Sequence, residues 1–224
     1  MHKKPRGVNG SVFVGAGLSP EFQKLNFPDE KSEMESNVMR AALSISEKMQ
    51  PSFYGLTGEV RLNSENDFDF SLPVKGGIEY IDLAEITIGM DKGGHENAPS
   101  SHVVGEFVDA AWKIVESKDR KYGGGRAINV HLLLFITDWK FSLSPSCIRL
   151  LSVYCKKRAH QFKSIAYFLP INPGGGIFTP IFPAGEDLNI SLQEELRLRN
   201  LQLHQANPQN ALTVDNGKSI IFRF

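Results

Sequence analysis

The chain has 224 residues, and its 25 Lys and Arg are balanced by 25 Asp and Glu. That length is typical of one large domain with a substantial core, and the balanced charge provides no overall field that would steer the protein to nucleic acid, a membrane or an acidic partner. Two cysteines without a CxxC or a metal-ligand spacing argue against a disulfide framework and a structural zinc site. No apolar run is long enough for a membrane helix or a signal peptide, so we expect a cytoplasmic protein.

In chain order, the sequence first predicts a short strand in SVFVGAGLSPEF with a glycine turn, and then a helix from Asp29 to Gln50. The helix is indicated by apolar residues at three- and four-residue steps, with Asp29 as a candidate cap and Pro51 as a stop. From Tyr54 the apolar period becomes two, over EVRLNS, DFDFSLPV and IEYIDLAEITI. The turns between these segments predict a three-stranded antiparallel meander. A glycine-rich loop then leads to a second helix from about Ser101 to Lys121.

The second half begins with INVHLLLFITD, a nearly continuous apolar run that is typical of a central strand buried on both faces. Pro145 begins a third helix that extends to about Lys163, and SIAYFLPI follows as a strand, so the two strands should be parallel. NPGGGIFTPIFPAGED is interpreted as turns with a short extended piece. A polar helix around SLQEELRLRNLQLHQ and a hairpin of ALTV and KSIIFRF end the chain.

These elements predict an α/β fold in which helices flank a mixed sheet, made of the antiparallel meander and the parallel strand-helix-strand unit. We expect the main domain to cover residues 1–186. Residues 187–224 are expected to form a helix and hairpin extension of the same domain.

Acidic side chains interrupt the apolar meander. Asp69 lies near the start of DFDFSLPV, and Asp82 lies in mid-strand, where a two-residue period puts it on the same face as Ala84. A carboxylate among apolar neighbours is costly unless it is paired or bound to a cation. Three explanations remain open: a structural ion pair, a position at a solvated edge of the sheet, or an oxygen-ligand site suited to Mg²⁺ or Mn²⁺. The basic residues considered for such an ion pair are Arg61, Lys75 and Lys113.

The order of the elements and these two acids together resemble the core of the PD-(D/E)XK, or restriction-endonuclease-like, nuclease superfamily. The resemblance covers roughly Asp29 to Ile171. It implies metal-dependent hydrolysis of nucleic-acid phosphodiesters, with Asp69 matching the aspartate at the end of the second core strand and Asp82 the acid of the third. In that family a lysine two residues after the second acid orients the attacking water, whereas this chain has Ala84 there.

Three explanations of Ala84 remain open. Glu85 is the second acid, or a lysine of the following helix replaces the missing one, or the domain binds nucleic acid or protein without cutting. The helix lysines considered are Lys113 and Lys118, and the first helix offers Glu33 or Glu35 as the family's optional acid. The implied catalytic residues are Asp69, Asp82, Glu85 and Lys113, and the implied metal ligands are Asp69, Asp82 and Glu35.

Two further segments suggest ligands. The run CKKRAHQFK is predicted to lie on the third helix, where its basic side chains would contact phosphates or form a solvated face. The candidate nucleic-acid contacts are Lys156, Lys157, Arg158 and Lys163. Separately, FVGAGLSP resembles the GAG-x-S turn of the sirtuin-like NAD-binding fold, which would make Gly15 and Gly17 cofactor residues; the alternative is an ordinary glycine turn.

Overall fold

The computed structural model describes residues 9–13, 21–63, 68–87, 101–123, 125–183, 190–204, 213–215 and 219–221. The helices in these ranges are α1 (Lys31–Met49), α2 (Val104–Lys121), α3 (Pro145–Lys157) and α4 (Leu192–Arg199). The strands are β1 (Gly10–Phe13), β2 (Glu21–Lys24), β3 (Arg61–Leu62), β4 (Phe70–Val74), β5 (Gly77–Glu85), β6 (Ser101–Val103), β7 (Val130–Phe135), β8 (Ser164–Asn172), β9 (Gly175–Phe182), β10 (Gln202–His204), β11 (Thr213–Asp215) and β12 (Ser219–Ile221).

A mixed six-stranded sheet in the order β3-β4-β5-β7-β8-β9 forms the centre of the fold. Its first three strands are the predicted antiparallel meander, and β7 is parallel to both β5 and β8. This arrangement confirms the α/β class and the parallel pair. Strand β9 is longer than the short extended piece predicted for this segment: it has eight residues and is antiparallel to β8.

Helices cover the sheet on both faces. Every residue of β7 is buried, as the apolar run predicted, and its side chains alternate between two core clusters. Leu132 and Leu134 pack in the cluster that includes residues of α2 and α3. Leu133 and Phe135 pack in the cluster that includes residues of α1. The sheet therefore separates an α1 face from an α2/α3 face.

Several helix boundaries differ from the prediction. Glu30 rather than Asp29 occupies the N-cap of α1 and makes no side-chain capping bond. The segment expected to open α2 is strand β6, which pairs with β10. The third helix ends at Lys157 rather than near Lys163. The chain after α3 must turn back to start β8, and the Lys163 N–H donates to the Val130 carbonyl 2.9 Å away at the start of β7.

The segment 190–204 packs on α2. Gly105 of α2 lies so close to the backbone of Arg199 that an added Cβ would be 2.8 Å from the Arg199 carbonyl oxygen. Arg199 also donates two hydrogen bonds to Asp109, at 3.3 and 2.8 Å. The predicted terminal hairpin is present as the antiparallel pair β11 and β12, and its turn lies outside the described residues. No described helix is both long and apolar enough to cross a membrane.

Candidate functional site

The candidate site lies where β4 and β5 stop pairing. Their ladder runs from Val74↔Gly77 to Phe70↔Ile81, and the residues immediately beyond it are Asp69 and Asp82. The Leu83 N–H donates to Asp69 Oδ2 at 2.7 Å, and the Leu83 carbonyl accepts from Lys118 Nζ at 3.0 Å. The backbone N–H and carbonyl of Leu83, which lie beyond the end of the ladder with β4, are therefore satisfied by the side chains of Asp69 and Lys118. These two contacts bring opposite charges together at the end of the ladder.

Asp82 is the most enclosed carboxylate of this site. Its side chain is 1% exposed, and its Oδ2 lies 2.7 Å from Nζ of Lys118, whose side chain is 26% exposed. The same oxygen makes no aligned hydrogen bond within the described part of the chain. At 2.7 Å the ammonium and the carboxylate are in direct contact, so Lys118 is the ion-pair partner of the buried Asp82 oxygen.

The pKa of Asp82 shows that the ion pair does not fully compensate for burial. Burial, and to a smaller extent the adjacent Asp69 carboxylate, raises the pKa of Asp82 to about 6, while Lys118 opposes the rise. The two aspartates lie close enough to interact through their carboxylates. Mutual repulsion in a desolvated site is the situation that favours binding of a further cation or a proton.

The first turns of α1 add another acid and another lysine. Glu35 is 8% exposed, and its Oε1 lies 3.2 Å from Lys31 Nζ. Burial and the Asp69 charge raise the pKa of Glu35, while Lys31 and Lys118 lower it. Glu35 thus belongs to the electrostatic surroundings of Asp69, whereas Glu33, the other acid considered on this helix, is exposed.

The other predicted catalytic residues lie elsewhere. Glu85 accepts a hydrogen bond from Thr137, and strand alternation turns it away from Asp82. Lys113 is exposed on α2. The lysine that contacts Asp82 is Lys118, and the sequence contains a signal for it. Lys118 continues the inner stripe of α2, formed by Val104, Val108, Ala111 and Val115, at alternating steps of four and three residues.

The implied metal set is only partly assembled. Asp69 and Asp82 adjoin, and Glu35 interacts with Asp69 at a distance. In the part of the chain that the structure describes, no group of three or more His, Cys, Asp or Glu side chains has the geometry to hold a metal ion. The described arrangement therefore offers two adjacent carboxylates and a third one nearby.

The basic run after Cys155 does not form the predicted helical face, because only Lys156 and Lys157 belong to α3. Lys157 pairs with Glu195 at 2.5 Å, and Lys163 pairs with Glu79. The guanidinium of Arg158 lies 3.5 Å from the centroid of the Tyr154 ring. These intramolecular contacts lower the net positive charge available to a phosphate backbone.

A second polar group lies within the sheet. His131 is 1% exposed, and its Nδ1 lies 2.6 Å from Ser164 Oγ and its Nε2 2.7 Å from Glu79 Oε2. Burial lowers the pKa of His131, although Glu79 raises it. His131 is therefore a core histidine whose two ring nitrogens both have hydrogen-bond partners. The glycines Gly15 and Gly17 lie outside the described residues.

Comparison with known proteins gives no relative: no family model, no curated protein and no solved structure matches this chain. The site must therefore be interpreted from its own geometry.

Proposed function

We propose that this protein is a metal-dependent phosphodiesterase that acts on nucleic acid, with its reacting centre at Asp69, Asp82 and Lys118. The observation that carries the proposal is the contact of Lys118 with Asp82 beside Asp69. It supplies an amine next to two adjacent carboxylates even though the chain has Ala84 at the position of the family's lysine.

Mg²⁺ or Mn²⁺ suits this donor set because both ions prefer carboxylate oxygens and complete their shells with water and phosphate. The fit is supported by the Asp82 oxygen that lacks an aligned hydrogen bond in the described part of the chain. Asp69 and Asp82 would hold the ion, with Glu35 as the third acid. Once bound, the ion would polarise the phosphate and lower the pKa of a bound water.

The roles of the chain's own groups follow from their contacts. The Leu83 N–H fixes Asp69, so this carboxylate is oriented before any ligand arrives. The Lys118 amine is held by the Leu83 carbonyl beside Asp82, where it can neutralise negative charge that develops on a phosphate. Since Ala84 is packed in the core at 5% exposure, its side chain has no part in this chemistry.

A second candidate is a member of the same fold that binds nucleic acid or protein without cutting it. One observation favours it: Asp82 is 1% exposed and already has a cation, as a purely structural ion pair would. The residues Lys156, Lys157, Arg158 and Lys163 would then be the candidate backbone contacts. Binding through them would weaken steeply with salt.

The test is a cleavage assay on labelled single- and double-stranded oligonucleotides and on plasmid, with Mg²⁺ or Mn²⁺. The variants are Asp82→Asn and Lys118→Met, and the control is Glu47→Gln, an exposed carboxylate of α1. We expect each site variant to cut about 100-fold more slowly or worse, since removing a charged transition-state contact typically costs about that much. The control should cut at the parental rate.

Purifying all the proteins identically separates the protein's own activity from a contaminating nuclease, because a contaminant would cut equally in every sample. Cutting that survives in folded Asp82→Asn would contradict the proposed centre. If the parent binds oligonucleotides but never cuts them, the non-catalytic candidate is favoured.

A further inference from the structure

We propose that Lys118 is an exchangeable cation of the site. Its ammonium group pairs with the Asp82 carboxylate in the metal-free protein, and Mg²⁺ or Mn²⁺ displaces it from that carboxylate on binding. This inference rests on the proposed function and adds a regulatory step to it. The lysine would compete with the metal ion before it assists the reaction.

Competition follows from the crowding at one oxygen. Lys118 Nζ lies 2.7 Å from Asp82 Oδ2, and the Asp82 side chain is only 1% exposed. A second cation cannot reach that oxygen at a metal-ligand distance of about 2 Å while the amine remains there. The amine must therefore move before Asp82 can act as a ligand.

The structure also provides for the movement. Lys118 lies in the last turn of α2 with 26% of its side chain exposed, so the flexible stem can turn toward solvent. A separate hydrogen bond from Nζ to the Leu83 carbonyl at 3.0 Å keeps the amine near the site.

The two acids are held differently from the lysine. Asp69 accepts the Leu83 N–H at 2.7 Å and stays fixed by the strand backbone, and Asp82 lies within β5 itself. The carboxylates would therefore keep their positions while the amine leaves. The released amine would be available to a phosphate, so the same residue should weaken metal binding and speed the reaction.

The first experiment measures Mn²⁺ binding to the full chain by calorimetry, without substrate. The variant is Lys118→Met, which keeps the length of the stem and removes the charge. The control is Lys48→Met, an exposed lysine of α1 whose Cα is about 20 Å along the helix from that of Glu35. We expect Lys118→Met to bind Mn²⁺ about tenfold more tightly or better, and Lys48→Met to match the parent.

Equal or weaker Mn²⁺ binding by folded Lys118→Met would overturn the exchange but leave the proposed function standing. If neither protein binds Mn²⁺, both the exchange and the metal-dependent function are wrong. Circular dichroism of each variant establishes that the comparison is between folded proteins.

The second experiment needs no variant. The parent is acetylated briefly with an amine-reactive reagent, with and without saturating Mg²⁺, and the modification of each lysine is measured by mass spectrometry. We expect Mg²⁺ to raise the labelling of Lys118 at least threefold relative to that of Lys48, because the released amine becomes accessible to the reagent. An unchanged ratio at saturating Mg²⁺ would refute the exchange.

Discussion

Replacing Asp82 by Asn should stabilise the metal-free protein at alkaline pH while it abolishes cutting. Burial raises the pKa of Asp82 from 3.8 to about 6, so the folded state holds the ionised form at a cost. At about 1.4 kcal/mol per pH unit, that difference corresponds to about 3 kcal/mol at pH 8. Asn avoids the cost but leaves Lys118 without its carboxylate, so we expect a net gain of about 1 to 3 kcal/mol in the free energy of unfolding.

The stability difference between Asp82→Asn and the parent should also depend on pH. Because the folded pKa lies above the unfolded value, the folded state binds the proton more tightly, and Asp82's destabilising effect fades as the pH falls through 6 toward 3.8. The advantage of Asp82→Asn over the parent should therefore shrink by about half between pH 8 and pH 5. Urea denaturation with a chelator, followed by circular dichroism, measures both quantities.

The opposite result would show that the ion pair stabilises the fold. Removing one partner of a net favourable buried pair typically costs about 3 to 5 kcal/mol. If Asp82→Asn is less stable than the parent by such an amount at pH 8, with a difference that does not vary with pH, the Lys118 contact outweighs burial. The buried Asp82 carboxylate would then not destabilise the metal-free protein.

Three further predictions concern the framework around the site. Gly105→Ala should lower the free energy of unfolding by about 1 to 3 kcal/mol, because the added Cβ would lie 2.8 Å from the Arg199 carbonyl oxygen. Thermal melts measure this change, and an unchanged melting temperature would contradict the close packing of α4 on α2. Asp109→Asn should weaken the hydrogen bonds from Arg199 and speed proteolysis within residues 190–204, and cleavage at the parental rate would count against this role. Ser164→Ala should lower the free energy of unfolding by about 1 to 3 kcal/mol, because it leaves the buried His131 Nδ1 without its partner. Since burial lowers the pKa of His131, the stability of the parent should also fall as the pH drops below 6.5. In thermal melts, His131→Gln should lose that acid dependence.

The parts of the fold that sequence predicted well are those with one dominant physical signal. The continuous apolar run over Val130–Phe135 identified a strand buried on both faces, because both faces of a central strand meet helices. The two-residue period along β5 also holds in the structure, where Tyr80 and Ala84 pack on one face of the sheet and Ile81 and Leu83 on the other. Burial on both faces of a strand therefore leaves a nearly continuous apolar run in the sequence.

Features that depend on tertiary contacts were not predictable in the same way. A two-residue period would place Phe68 and Phe70 on one face, but the two rings pack in different core clusters. The ladder with β5 ends at Phe70, so the two-residue period no longer applies one residue earlier. The end of α3 was also missed, because Phe162 continues the apolar spacing although its burial occurs beyond the helix.

The position of the lysine shows why the site itself was harder to predict than the strands. A lysine at position 84 would have to fit into the core cluster that Ala84 shares with Val108 and Ala111 of α2. The helix instead brings an amine to Asp82 from the end of its own buried stripe, where Lys118 follows Val115 by three residues. The proposed chemistry requires an amine beside the carboxylate and does not depend on the strand that supplies it. A motif defined by spacing along one strand therefore overlooks a residue that a helical period brings to the same point.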